Sequence, residues 1–327
     1  MLAVSGCGDD KKATPAAAPT SDVKVGLAYD LGGRGDKSFN DAAATGLDKA
    51  KAEIGVSAKD LSPSKEDDRK ENLKLLAETG YNPIVAVGFA FADPLTEIAK
   101  ANPDTTFGII DSVVDLPNVR SLVFAEQEGS FLVGAAAALK SKTGKVGFIG
   151  GVEISLIKKF EAGFAAGAKQ VNPDVKVDVK YITPEGDFSG FNSPDKAKEI
   201  AGAMYEGGAD VIFHAAGGSG GGLFDAAVAA GDGKWAIGVD SDQYLSATAG
   251  QQAHILTSML KRVDVAVFET VKAFSEGDKA GGTKVFNLKV DGVGYSTSGG
   301  FLDDVKDKLD DLKKKIVDGE ITVPETP

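Results

Sequence analysis

The chain has 327 residues, 43% hydrophobic and 26% charged, with a formal charge of −12; at about 150 residues per domain this describes a two-domain globular protein and excludes disorder over most of its length. An acidic surface repels phosphate backbones, so nucleic acid is not an expected partner. A single Cys and two His exclude a disulfide framework and leave too few ligands for a zinc site, and no apolar run of roughly 18 residues is present to span a bilayer.

At the N-terminal end, Val4-Ser5-Gly6-Cys7 places a branched apolar residue and two small ones before the only cysteine. This resembles the lipobox of bacterial lipoproteins, in which the chain is cut before the cysteine and that residue is acylated. The six residues before Cys7 hold neither a basic n-region nor a full apolar stretch. Residues 8–21 (GDDKKATPAAAPTS) have nothing to bury and read as a flexible tether. The expectation is a protein held to the membrane through lipid on Cys7, on the extracytoplasmic face; the alternative is a chance cysteine in a tail.

From Val23 onward short apolar runs alternate with helical patterns. Strands are expected at Val23–Tyr29, Pro83–Val87, Thr106–Ile110, Ser121–Phe124, Lys145–Ile149, Lys176–Ile182, Asp210–His214, Trp235–Val239 and Ile255–Ser258. Among the helices, Ile154–Val171 shows Ile154, Ile157, Phe160, Phe164, Ala168 and Val171 at three-to-four spacing, and Leu302–Ile316 is amphipathic. Repeated β-α units imply parallel sheets with helices on both faces. The rhythm restarts near residue 127, so the fold class is α/β with two Rossmann-like lobes.

Ligands of open α/β sheets bind beyond the carboxyl ends of the strands, and several units deliver polar residues there. After the first strand comes Asp30-Leu-Gly-Gly-Arg-Gly-Asp-Lys-Ser-Phe39-Asn40-Asp41. Ser38-x-x-Asp41 reads as a capping-box-like helix start, which puts Phe39 and Asn40 in the first turn. Phe39 then faces the cleft as a stacking plane, or the core as a staple. Asn40 offers donors and an acceptor to a heterocycle edge. Asp111 follows Ile109-Ile110. Phe89, Phe91, Phe188 and Phe191 fall in loops after strands, as stacking or lobe-sealing aromatics.

Gly217–Gly222 precedes a helix expected near Leu223. Gly218-Ser-Gly220 fails the G-x-G-x-x-G spacing, and no phosphate-binding P-loop is present. Close backbone approach to an uncharged ligand, or a plain loop, remains. Asp240 and Asp242 end the Gly238-Val239 strand, fit to bind vicinal hydroxyls, to act in acid–base chemistry or to cap. Lys261 reads as the opening of a helix, where a cation opposes the dipole and wants a carboxylate partner. His214, at a strand end, lacks a nucleophile context such as G-x-S-x-G.

In order along the chain, Asp30-x-Gly-Gly…Asp36-Lys-Ser-Phe39-Asn40, Phe107-Gly-Ile-Ile-Asp111, Ala215-Ala-Gly-Gly-Ser-Gly220, Ile237-Gly-Val-Asp240-Ser-Asp-Gln243 and Ser258-Met-Leu-Lys261-Arg-Val-Asp264 resemble the basic membrane protein family of bacterial lipoproteins. That family includes purine-nucleoside receptors of ABC importers. The resemblance runs from about Val23 to about Val290. It implies a type I periplasmic-binding-protein fold, with lobes of 22–127 plus 256–283 and 128–255 plus 284–327 joined by three crossings, after a tether at 1–21. It implies further that Phe39 stacks on one face of a base, with Phe188 or Phe191 on the other. Asn40 and Asp111 would bond the base edge, while Asp30, the turn around Gly218 and Gly220, Asp240 and Lys261 would hold the ribose. The expected ligand is a nucleoside of the adenosine, guanosine or inosine type. The expected partner is an ABC permease, with no cofactor, no metal and a monomeric chain. The glycine pair Gly221-Gly222 and the loop Asp187–Pro194 depart from the family pattern.

Two other classes compete. One is a hydrolase that uses Asp240 and His214, though the clustered aspartates for a metal-bound water are missing. The other is a ligand-sensing regulator on the same scaffold, which a lipid anchor argues against.

Overall fold

Apolar runs become strands and the periodic stretches between them helices in a computed structural model that describes residues 20–327. The strands β1 (Lys24–Ala28), β2 (Ser57–Leu61), β3 (Ile84–Ala86), β4 (Phe107–Ile110) and β5 (Val119–Phe124) build one sheet. A second contains β6 (Lys145–Val152), β7 (Lys176–Thr183), β8 (Val211–Ala215), β9 (Trp235–Asp240) and β10 (Ile255–Lys261). The chain then returns β11 (Gly282–Phe286) to the first sheet and β12 (Val293–Tyr295) to the second. Their orders are β11-β5-β4-β3-β1-β2 and β12-β10-β9-β8-β6-β7. Every pairing is parallel except β12 on β10. Each lobe thus repeats one doubly wound order, 2-1-3-4-5, plus a borrowed edge strand. Such a sheet binds ligands where its winding reverses, between β1 and β3 and between β6 and β8.

Helices α1 (Phe39–Ile54), α2 (Asp68–Glu78) and α3 (Ala92–Ala101) flank the first sheet, and α4 (Glu126–Lys140), α5 (Ser155–Val171), α6 (Pro194–Glu206) and α7 (Gly220–Ala230) the second. Two single turns, α8 (Gln243–Ser246) and α9 (Ala249–Gln252), follow β9. After β10, α10 (Val263–Ser275) packs on α1, and α11 (Lys306–Val317) closes the chain against α4. The apolar side expected for the last helix is buried as Leu302, Val305, Leu309, Leu312 and Ile316. The helix itself starts only at Lys306, after turns that hold the first two of these.

Two crossings sit a few residues from where they were expected. β10 pairs with β9 through Leu260↔Asp240, so residues 256–261 belong with the second sheet and the second crossing follows Lys261. β11 pairs with β5 through Phe286↔Phe124, so 284–286 belong with the first. Backbone pairing, and not the end of the apolar run, sets both limits. Three strands were not expected from the sequence: β2 and β11, which are largely polar, and β12, which is only three residues long. All three are sheet edges, half solvated, and so free to be polar. Cys7 and its tether lie outside the described residues.

Candidate functional site

The carboxyl ends of both sheets face one another across a cleft of about 340 Å³, within the range of small-molecule sites. Of the residues proposed from sequence, Asp30, Phe39, Asn40, Asp111, Phe188, Phe191, Gly218, Asp240 and Lys261 line it. Gly220 does not. A Cβ there would stand 2.0 Å from His214 Cε1, so this glycine lets α7 begin against the imidazole. α7 also begins three residues earlier than expected, after a tight turn at Gly217–Ser219.

The segment after β1 is organised by Asp36. Its carboxylate accepts the backbone N–H groups of Ser38, Asn40 and Asp41 at 2.8–3.1 Å, together with Asn40 Nδ2 at 3.1 Å. Asp36 therefore caps α1 in place of Ser38, which makes no side-chain cap bond. A carboxylate at a helix start is favoured by the dipole, although burial pushes the Asp36 carboxyl up from its ordinary range. Asn40 Oδ1 accepts from Asp30 N at 3.1 Å, leaving one amide hydrogen and one lone pair for a ligand. Asp30 is gripped by Arg69 of α2, whose Nη2 and Nε lie 2.6 and 2.8 Å from Oδ1. Oδ2 remains free to accept. Gly88 (φ 121) makes room for it, since a Cβ there would lie 2.8 Å from that oxygen.

Opposite stands a second charged group. Lys261 ends β10 and does not open a helix. Its Nζ lies 2.6 Å from Asp111 Oδ2 and 3.2 Å from Glu126 Oε1, all three side chains being at most 4% exposed. Burial opposes the lysine's charge, but Asp111, Glu126 and Asp240 outweigh it and hold its pKa above the ordinary value. Asp240 is pushed up to about 6, by burial first, against the pull of Lys261 and of Ser38. Ser38 donates across the cleft to Asp240 Oδ2 at 2.7 Å. Ser241 Oγ donates back to Ser38 O at 3.0 Å, and Gln243 Nε2 to Lys37 O at 3.0 Å. Asp242 is held aside by Ser298 Oγ at 2.6 Å and does not line the cleft, so the paired-carboxylate role expected beside Asp240 is not available to it.

His214 is 1% exposed and bonds Gln243 Oε1 through Nε2 at 3.0 Å. Burial drops its pKa to about 4, so it is a neutral packing residue that does not reach the cleft. The apolar planes are Phe39, Phe89, Phe160, Phe188, Phe191 and Phe224. Phe188 meets Phe89 of the other lobe edge-on at 5.6 Å, whereas Phe91 is fully buried. Sequence reasoning passed over Arg69, Glu126 and the capping role of Asp36. Arg69 sits in a helix that reads as solvated, and nothing local marks it. Asp36 stands inside a segment already singled out, and its place three residues before Phe39 was the available signal.

The family model described as "ABC transporter substrate-binding protein PnrA-like" matches residues 23–327. The chain is 39% identical over 345 residues to a CD4+ T-cell-stimulating antigen of Listeria monocytogenes, covering 100% of this chain and 95% of that one. It is 35% identical over 341 residues to the ABC transporter nucleoside-binding protein BmpA of Lactococcus lactis, covering 99% and 95%. Among solved structures, an ABC transporter solute-binding protein of Aeropyrum pernix is similar with a TM-score of 0.80 and 31% identity, over 92% of this chain and 94% of that one.

Proposed function

The chain belongs to the Bmp family of PnrA-like ABC transporter substrate-binding proteins, and from that premise we propose that it is a lipid-anchored extracytoplasmic receptor that captures a purine nucleoside and delivers it to an ABC permease. The observation that carries the ligand class is the pairing of an aromatic plane, Phe39, with the acceptors Asp30, half-buried, and Asp240, buried, in one cleft. A neutral ligand with a π face and vicinal hydroxyls matches both. The two buried cations, Arg69 and Lys261, are already engaged by carboxylates, so a phosphate seated among Asp30, Asp111 and Asp240 meets repulsion there, and the remaining lining cations, Arg34 and Lys37, are exposed. In this reading Phe39 and either Phe188 or Phe191 sandwich the base. Asn40 and Asp111 read its edge, and Asp30, Asp240, Lys261 and the backbone at Gly218 hold the ribose. The ligand leaves unchanged, because His214 is sealed behind Gly220 and no nucleophile–base pair faces the cleft among the described residues. The anchor assigned to Cys7 rests on the lipobox-like Val4-Ser5-Gly6-Cys7; no helix of the described residues is long and apolar enough to cross a membrane.

One preparation tests both halves. Native protein extracted from membranes should carry lipid on Cys7 by intact mass. Calorimetric titration should show adenosine, guanosine or inosine binding at about micromolar Kd or tighter, with their monophosphates and free bases far weaker. An unmodified mass removes the anchor. The absence of any nucleoside binding tighter than about millimolar removes the substrate, and recovery of free base would make the protein a hydrolase.

A further inference from the structure

Glu126 is the first residue of α4, where the chain first leaves one lobe for the other, and Lys261 is the last of β10, where it crosses back. Glu126 does not line the cleft. It is 1% exposed, and its Oε1 lies 3.2 Å from the Lys261 ammonium, whose other ion pair is Asp111 Oδ2 at 2.6 Å. The rings of Phe39, Phe124 and Phe160 surround the ammonium at 5.0–5.6 Å. The second oxygens, Glu126 Oε2 and Asp111 Oδ1, are buried with no hydrogen-bond partner among the described residues. An ammonium carries three donors and is costly to bury unpaired. Asp111 accepts one of them, and Glu126 attracts the charge as an ion pair at 3.2 Å, so the ammonium is shared between the cleft and the rear. Without the pull of Glu126 from behind, the same charge would turn wholly toward Asp111 and Asp240 and cover the acceptors that a ligand's donors need.

We propose that Glu126 is a positioning residue for ligand binding: from behind the cleft it holds the Lys261 ammonium back, so that Asp240 and the open oxygen of Asp111 stay available to the ligand. The inference rests on the nucleoside reading of the cleft for its ligand, but the Glu126–Lys261 pairing it invokes is measurable without one.

Glu126→Gln keeps the shape and an acceptor oxygen and removes the ionisable carboxyl, which burial pushes up to about 7 against the pull of Lys261. Titrated with the purine nucleoside that the wild type binds, it should show a Kd raised about 10-fold. In a Lys261→Met background the same change should raise Kd no further. Thermal melts without ligand supply the second readout. Lys261→Met leaves two buried carboxylates unpaired and should lower Tm, and adding Glu126→Gln should recover part of the loss. A folded Glu126→Gln protein with unchanged or tighter binding overturns the proposal, as does an equal loss of affinity in both backgrounds. A wild-type chain that binds no nucleoside removes the substrate reading, and the melts then decide: equal Tm effects of Glu126→Gln in both backgrounds overturn the pairing. If Lys261→Met does not fold, the single variant decides, through Kd at wild-type Tm.

Discussion

Asp111 and Asp240 occupy matching places in the two lobes, one just after and one at the end of the fourth strand of each doubly wound sheet, and both adopt left-handed backbone (φ 66 and 65). Non-glycine residues seldom accept that conformation, aspartate being among the more tolerant, and such strain gathers at functional positions. It swings each carboxylate off the strand direction and into the cleft. Asp240, raised to about 6 by burial, gives the binding reaction a pH dependence with a defined sign. Hydroxyl donors of a ligand favour the ionised carboxylate, so binding lowers its pKa, and affinity is full above that value and lost as pH falls through it. Nucleoside Kd should therefore be about 10-fold weaker at pH 5 than at pH 7.5. Asp240→Asn should bind weakly with a flattened profile. Equal wild-type affinity at the two pH values would show that Asp240 accepts nothing from the ligand. These aspartates were legible in the sequence because a carboxylate after an apolar run lands on the binding rim of any parallel sheet. Arg69 and Glu126 were not, since their roles exist only through partners 39 and 135 positions away (69 − 30; 261 − 126).

The start of α1 shows the same division one level up. A cap, then an aromatic, then an amide is local chemistry, and it placed Phe39 and Asn40 correctly in the first turn. The identity of the cap was misjudged, because Ser38 has a competing partner in the other lobe that no local rule contains. With Asp36 holding the helix start, Phe39 is only half-buried and its ring stands 5.2 Å from the Lys261 ammonium at the cleft. Loss of a base-stacking ring costs roughly 1–3 kcal/mol. Phe39→Ala should weaken nucleoside binding by about 5- to 150-fold, with little change in Tm. A core phenylalanine would instead lose about 3–5 kcal/mol of stability, so a large Tm drop with intact affinity would return Phe39 to the core. Among the strands, those buried on both faces announced themselves as apolar runs, while β2, with Ser57, Lys59 and Asp60, did not.

Across the whole molecule, Ser38–Asp240, Ser241–Ser38, Gln243–Lys37 and the Phe89–Phe188 edge contact all join one lobe to the other. If a ligand enters between the lobes these contacts must separate, and rotation about the three crossings is the motion that would do it. Solution scattering should give a smaller radius of gyration with saturating nucleoside than without, the behaviour of hinged binding proteins. An unchanged profile at saturation would mean that the lobes are already locked and that the ligand enters by another route.

What the sequence determined by itself was set by short-range physics: two α/β lobes from the alternation of apolar runs and helical periods, the rim position of Asp30, Asp111 and Asp240, and the helical turn that carries Phe39. What only the tertiary structure decided depended on contacts between distant segments. These are the sheet that β10 and β11 join, the capture of Lys261 by Asp111 and Glu126, the grip of Arg69 on Asp30, and the replacement of Gly220 as a ligand contact by Gly220 as clearance for His214. Burial is the common reason. A charge or a missing side chain acquires its meaning from what is packed against it, and that neighbour is chosen by the fold.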